Sequence, residues 1–117
     1  MDQKTPQISD MKIKQIIGRD FSDEEASEVE DLLRLYKADN ANGKNRVCAS
    51  ILKLSNGKIE LIKKYVEQAN IDYRDLIALS EYPNYSEHAF EDDLPDYRKK
   101  KLLDDDWKQY QRWLNKE

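Results

Sequence analysis

His88 is the chain's one histidine and Cys48 its one cysteine, so acid–base or nucleophilic chemistry has to begin with them. His88 stands among carboxylates, with Glu87 before it and Glu91, Asp92 and Asp93 after it. Such a group could hold a hard cation or orient an imidazole base. One imidazole with no fixed ligand spacing is a weak metal signature, and the acidic cluster lacks the glycine that a calcium loop needs at its sharp turn. A solvated loop histidine is the simpler reading. Cys48 lies in the most apolar stretch, where a thiol is buried away from the base that a nucleophilic thiolate needs. It reads as a core residue. Asp72 and Asp75 are explained by a helix start. No glycine-rich phosphate loop is present. This reading assigns no catalytic residue, no cofactor and no metal ligand, and it leans away from an enzyme. A small enzyme or metal-binding protein built on His88 and its acidic neighbours is the last of three functional readings.

Binding chemistry offers more. Arg98-Lys99-Lys100-Lys101 and Lys63-Lys64 could touch phosphates, which makes a nucleic-acid-associated regulator the second reading. Ala49 to Val66 has the outline of a helix-turn-helix around Ser55-Asn56-Gly57. The position four before Gly57 should then be small, and it is Lys53. The second helix carries Glu60 and Glu67 beside its lysines. The chain's net charge of −4 and the nearby Asp104 to Asp106 also oppose nucleic acid. The leading reading is a non-enzymatic protein-interaction or regulatory module, its partner another protein or a second copy. Arg74, which points off the core face of its helix, and the aromatic residues Trp107, Tyr110 and Trp113 are the candidate contacts. The seven tyrosines fit such a role, because tyrosine is a good interface anchor.

These residues must be positioned by helices. Between Arg46 and Pro83 the apolar residues recur at helical spacing. A first helix spans about Asn45 to Leu54, with Val47, Ile51 and Leu54 on one side and Cys48 and Leu52 beside them. So wide an apolar face puts it at the centre of the fold. Ser55-Asn56-Gly57 ends it, and Asn56 could cap the next helix, about Lys58 to Ala69, whose inner stripe is Ile59, Ile62, Val66 and Ala69. Asn70-Ile71 is a short joint. Asp72 caps a third helix carrying Tyr73, Leu76, Ile77 and Leu79, which Pro83 stops.

Upstream, residues 1–9 read as a flexible terminus, and a short helix runs from Met11 to Ile17 with Gly18 as its end. Ser22 and Glu25 form a capping box, with Phe21 and Ala26 at the staple positions, for a helix reaching about Ala38. Its first turns are strongly acidic. Asp39 to Lys44 is a loop. Downstream, Asn84 to Asp93 is irregular, with Ala89 and Phe90 as anchors to the core. A last helix covers about Pro95 to Asn115, with Leu103, Trp107, Tyr110 and Leu114 in one stripe. It either closes the fold or shows an aromatic face to a partner, and the shortage of other apolar surface favours closure.

The fold class expected is all-α, a compact bundle of five or six short helices forming one domain over residues 10–117. At 117 residues the chain can bury a core without disulfide or metal. The N-terminal MDQKTPQISD has no apolar run to suggest a signal peptide, no stretch is apolar enough to span a membrane, and one cysteine fits a reducing compartment. The expected location is the cytoplasm. The central stretch resembles a family of small, uncharacterised bacterial proteins in Arg46-Val47, Ile51-Leu52-Lys53-Leu54, Gly57, Asp72-Tyr73-Arg74-Asp75-Leu76 and Glu81-Tyr82-Pro83. The resemblance covers about a third of the chain. It implies a bacterial, cytoplasmic helical protein and no particular activity.

Overall fold

The computed structural model describes residues 5–37, 41–88 and 93–116. Among them the chain is all-α, with helices α1 (Asp10–Asp20), α2 (Asp23–Arg34), α3 (Ala41–Ser55), α4 (Ile59–Glu81), α5 (Pro83–His88) and α6 (Asp96–Leu114). A buried cluster unites Ile16 and Ile17 of α1, Val29 and Leu33 of α2, Val47, Cys48, Ile51 and Leu52 of α3, Ile62, Val66, Leu76 and Ile77 of α4, and Tyr110 and Leu114 of α6. Helix α3 is the central element: Ala49, Ser50, Ile51 and Leu52 in succession are all but sealed from solvent. Four consecutive buried residues cover a full turn, so α3 is packed on every side there. Leu54 and Ile59, expected in the core, are only partly buried at its margin.

Local signals explain most helix ends. Ser9 caps α1 by accepting from the Lys12 N–H at 3.1 Å. Ser22 and Glu25 form the expected capping box, and Phe21 is buried beside it. Helix α1 does not stop at Gly18 but continues to Asp20, because Phe21 must reach the core. Helix α2 ends at Arg34, short of the expected Ala38, where Asn70 of α4 takes over. The Asn70 side chain donates to the Leu35 carbonyl at 3.0 Å and accepts from the Lys37 N–H at 2.9 Å. Helix α3 begins at Ala41, inside the expected loop.

Asn56 (φ 51°) and Gly57 (φ 77°) together turn the chain out of α3 in the left-handed region. Asn56 therefore does not cap α4, whose first turn has no side-chain cap. A Cβ on Gly57 would lie 3.2 Å from the Asp20 carbonyl oxygen, so this position needs glycine for space as well as for φ. The two helices expected in this stretch are both present, as two segments of α4 that meet at Asp72, whose dihedrals are non-helical (φ −156°, ψ 105°). The Asp72 carboxylate accepts the Arg74 N–H at 3.0 Å, the N-cap role expected of it. Asn70 and Ile71, expected as the joint, belong to the first segment, and Asp72 alone separates the two.

Pro83 stops α4 and also opens α5, a segment expected to be irregular. Proline suits a first helical position because its missing N–H is not needed there. Ala89 and Phe90 lie outside the described residues. At the far end, Arg19 of α1 donates to the carbonyls of Trp113 (2.8 Å) and Lys116 (2.9 Å), and its guanidinium lies 5.4 Å from the Trp113 ring centre. One side chain thus satisfies carbonyls at the end of α6 and covers its tryptophan. Among the described residues no helix is long and apolar enough to cross a membrane.

Candidate functional site

Polar side chains converge where α3, the end of α4 and the middle of α6 meet. Arg46 grips Glu81, the last residue of α4, through two hydrogen bonds of 2.7 Å, Nε to Oε2 and Nη2 to Oε1. The Glu81 side chain is 6% exposed and that of Arg46 28%. Bonding to Glu81 raises the guanidinium above its ordinary range, against the opposing effect of burial. From α6, Gln109 donates to the Ser80 carbonyl at 3.2 Å. The buried Tyr110 phenol is raised well above its usual value, first by burial and then by the Glu81 charge. Asp106, also sealed from solvent, accepts the backbone N–H groups of Asn84 (3.1 Å) and Tyr85 (2.9 Å), so a side chain of α6 caps α5. Lys53 is half-buried on α3, and burial lowers its amine despite the pull of Asp106.

This arrangement positions rather than reacts. Glu81 is committed to Arg46 and Asp106 to two amides, so neither carboxylate is poised as a base. Cys48 is buried, and burial pushes its thiol up to about 11, which suppresses the thiolate. His88 closes α5 half-buried; Glu91 and Asp92 lie outside the described residues. Among the described residues no three histidine, cysteine, aspartate or glutamate side chains gather as a metal site would require.

Arg46 also faces a second feature. A groove of about 540 Å³ runs between the end of α2, the start of α3 and the break in α4. Among the described residues its lining includes Lys37, Arg46, Arg74 and Asp72, with Tyr36, Asn70, Ile71 and Tyr73, and Arg46 keeps its pairing with Glu81. Arg74 binds Asp72 through Nε (3.0 Å) and Nη2 (3.1 Å), which holds that carboxyl below its usual range. The rim is apolar and open to solvent: Ile71 is 87% exposed and Tyr73 45%. A smaller hollow of about 400 Å³ between α1, α2 and α3 mixes Asp10 and Glu30 with Lys14, Arg34 and Lys44, so it favours neither sign of charge.

Of the four candidate contacts, Arg74 is the exposed one and lies in this groove. Tyr110 is in the core, and Trp113 packs on that core with its ring 5.5 Å from that of Tyr110. Trp107 is half-buried on the same helix. In this arrangement α6 closes the fold. The groove brings Arg74 together with Lys37 and Arg46, which sequence spacing alone did not single out. No protein-family model, no curated protein and no solved structure matches the chain.

Proposed function

We propose that the chain is a non-enzymatic protein-interaction module that docks a partner protein at the groove between α2, α3 and α4. The observation that carries this reading is Ile71, 87% exposed on the rim of a cation-lined groove whose walls are fixed by Asn70 and Glu81. A large aliphatic side chain gains nothing from solvent, and beside a tyrosine and a preformed groove it serves as an anchor. The docking surface is proposed here and not on the Trp107, Tyr110 and Trp113 face, because Tyr110 belongs to the core and Trp113 packs against it. A cytoplasmic setting in a bacterial cell belongs to the same proposal, supported by the single buried cysteine. The test is a photo-crosslinking residue at position 71, with position 28 on the acidic face of α2 as control, in the source cell. A discrete adduct with another polypeptide from position 71 alone is expected. Equal adducts from both positions, or none from position 71, would refute the reading.

A nucleic-acid-associated regulator is the second reading, favoured by Tyr97, 74% exposed at the start of α6 and followed by exposed Arg98, Lys100 and Lys101. Lys101 is partly drawn to Asp105 at 3.4 Å. Binding through this run would weaken steeply with salt. No mobility shift of single- or double-stranded nucleic acid at low salt ends this reading.

A further inference from the structure

We propose that Asn56 is a site of spontaneous modification: the Gly57 nitrogen attacks the Asn56 side-chain amide, and the turn between α3 and α4 becomes a mixture of aspartate and isoaspartate that holds this corner less firmly. The inference is independent of the docking reading above.

Position is the first argument. Asparagine precedes glycine twice in the chain, at Asn42-Gly43 and at Asn56-Gly57. The first pair lies in the backbone of α3, where helical dihedrals keep the next nitrogen turned away from the side-chain carbon. The second lies between α3 and α4, with Asn56 exposed. Both of its residues have positive φ, and the Lys58 N–H donates to the Ser55 carbonyl at 3.0 Å across them. A two-residue turn of this kind calls for asparagine followed by glycine. The fold therefore demands the pair, and the pair brings its chemistry with it.

Reactivity is the second. The two groups that must meet are neighbours in the chain, so the reaction is intramolecular. Gly57 has no Cβ to crowd its nitrogen. Among the described residues neither the Gly57 N–H nor the Asn56 side chain has a hydrogen-bond partner to restrain it. The Asn45 side chain, by contrast, donates to the Ile8 carbonyl and to Asp10, and that of Asn70 is engaged at the end of α2. Opening the bond between Lys58 and Ser55 frees the turn to rotate until the Gly57 nitrogen reaches Asn56 Cγ.

The step balances with one water. The Gly57 nitrogen loses its proton and forms a bond to Asn56 Cγ. The Cγ–Nδ2 bond breaks, and Nδ2 leaves as ammonia with that proton, which closes a succinimide ring. Water then opens the ring at either carbonyl. Cleavage of the new N–Cγ bond leaves aspartate. Cleavage of the original peptide bond leaves isoaspartate, whose main chain runs through Cβ and Cγ. Either product replaces a neutral amide by a carboxylate, and nothing is oxidised or reduced.

Space is the third argument. Gly57 sits so close to the end of α1 that a Cβ there would lie 3.2 Å from the Asp20 carbonyl oxygen, and Ser55 on the other side of the turn is sealed from solvent. Isoaspartate adds a main-chain atom between these two packed residues. The corner where α1, α3 and α4 meet has to shift to take it.

The experiment ages the full-length chain, folded and in urea, and follows both Asn-Gly pairs by peptide mapping with electron-transfer fragmentation, which tells isoaspartate from aspartate. The urea-unfolded chain sets the timescale on which both pairs react. In the folded chain position 56 is expected to convert on that timescale, with Asn42 at least about tenfold slower. No conversion at position 56 overturns the inference. Equal conversion at both positions also overturns it, because the reaction would then run through the unfolded chain. The Asn56→Gln variant would have to close a larger ring and should form no product at that position; undiminished conversion there overturns the mechanism. The isoaspartyl form, separated by ion exchange, should melt at a lower temperature than the fresh protein. Equal melting would overturn the loosening of the corner.

Discussion

Arg46 and Glu81 are locked by two 2.7 Å bonds that tie the start of α3 to the last residue of α4. With Glu81 only 6% exposed, the pair's stability role is asymmetric. Changing Arg46 to Met strands a buried carboxylate and should cost about 3 kcal/mol. Replacing both residues, Arg46→Met with Glu81→Leu, removes the stranded charge and should recover most of that loss. Urea unfolding of the two single variants and the double variant, combined as a mutant cycle, measures the coupling. A double variant as unstable as the sum of the singles would show that the pair is not coupled.

Asp106 caps a helix 21 and 22 residues away in sequence. Asp106→Ala removes the acceptor for two N–H groups at the start of α5 and should destabilise by about 2 kcal/mol. Asp106→Asn keeps one acceptor oxygen and should lose less. Amide exchange at Asn84 and Tyr85 should quicken in both variants, more in the alanine one. Unchanged exchange at those amides would remove Asp106 from the capping role.

How much of this was legible follows from how far apart the partners lie. The Ser22–Glu25 box, the Asp72 cap and the core stripe of α3 depend on neighbours within one or two turns, and spacing alone revealed them. Gly18 and Pro83 were read as stops from local propensity. Tertiary demands won at Gly18, where Phe21 drew α1 onward; Pro83 does stop α4, and Asp106 makes the same residue the start of α5. Asp106 itself reads as one of three successive acids, Asp104 to Asp106, that oppose nucleic acid, because nothing local marks it as buried. The groove was invisible for the same reason. It is assembled from three helices, and only Arg74 announced itself, by pointing off an apolar face. Arg46 counted merely as a polar residue on α3 until Glu81, 35 positions later, gave it a partner.

Alkaline pH should unfold the protein early. The folded Cys48 thiol titrates at about 11, against an ordinary value of 9.0, because burial penalises the thiolate. The folded state therefore binds more protons than the unfolded state in that interval, and stability falls as pH rises from 9 toward 11. Tyr110, also raised, acts in the same direction, while the lowered Lys53 opposes it. The loss assignable to Cys48 is about 2–3 kcal/mol across that window. Urea midpoints at rising pH should drop more steeply for wild type than for Cys48→Ala. Parallel curves would show that Cys48 does not carry the effect.

Gly18 is a cost the fold tolerates without a visible return. It lies inside α1, is exposed, and a Cβ there meets nothing within 4 Å. Gly18→Ala should stabilise the protein by about 0.5–1 kcal/mol, mainly by restricting the unfolded chain. Thermal unfolding checks this, and a lower melting temperature would mean that position 18 is constrained in a way its surroundings do not reveal.

Ile71 and Arg74 should separate stability from binding. Ile71 is 87% exposed, so Ile71→Ser removes almost no buried area and should shift stability by less than about 0.5 kcal/mol. Among the described residues Arg74 pairs with its neighbour Asp72 at the surface, and Arg74→Glu should leave the unfolding midpoint in place. If the groove docks a partner, each variant should weaken that contact while melting like the wild type. A marked loss of stability in Ile71→Ser would mean the residue is packed in solution against this chain's own surface, and the rim would lose its anchor. Wild-type melting together with wild-type binding would move the docking surface elsewhere on the molecule, with the exposed start of α6 around Tyr97 the next face to probe.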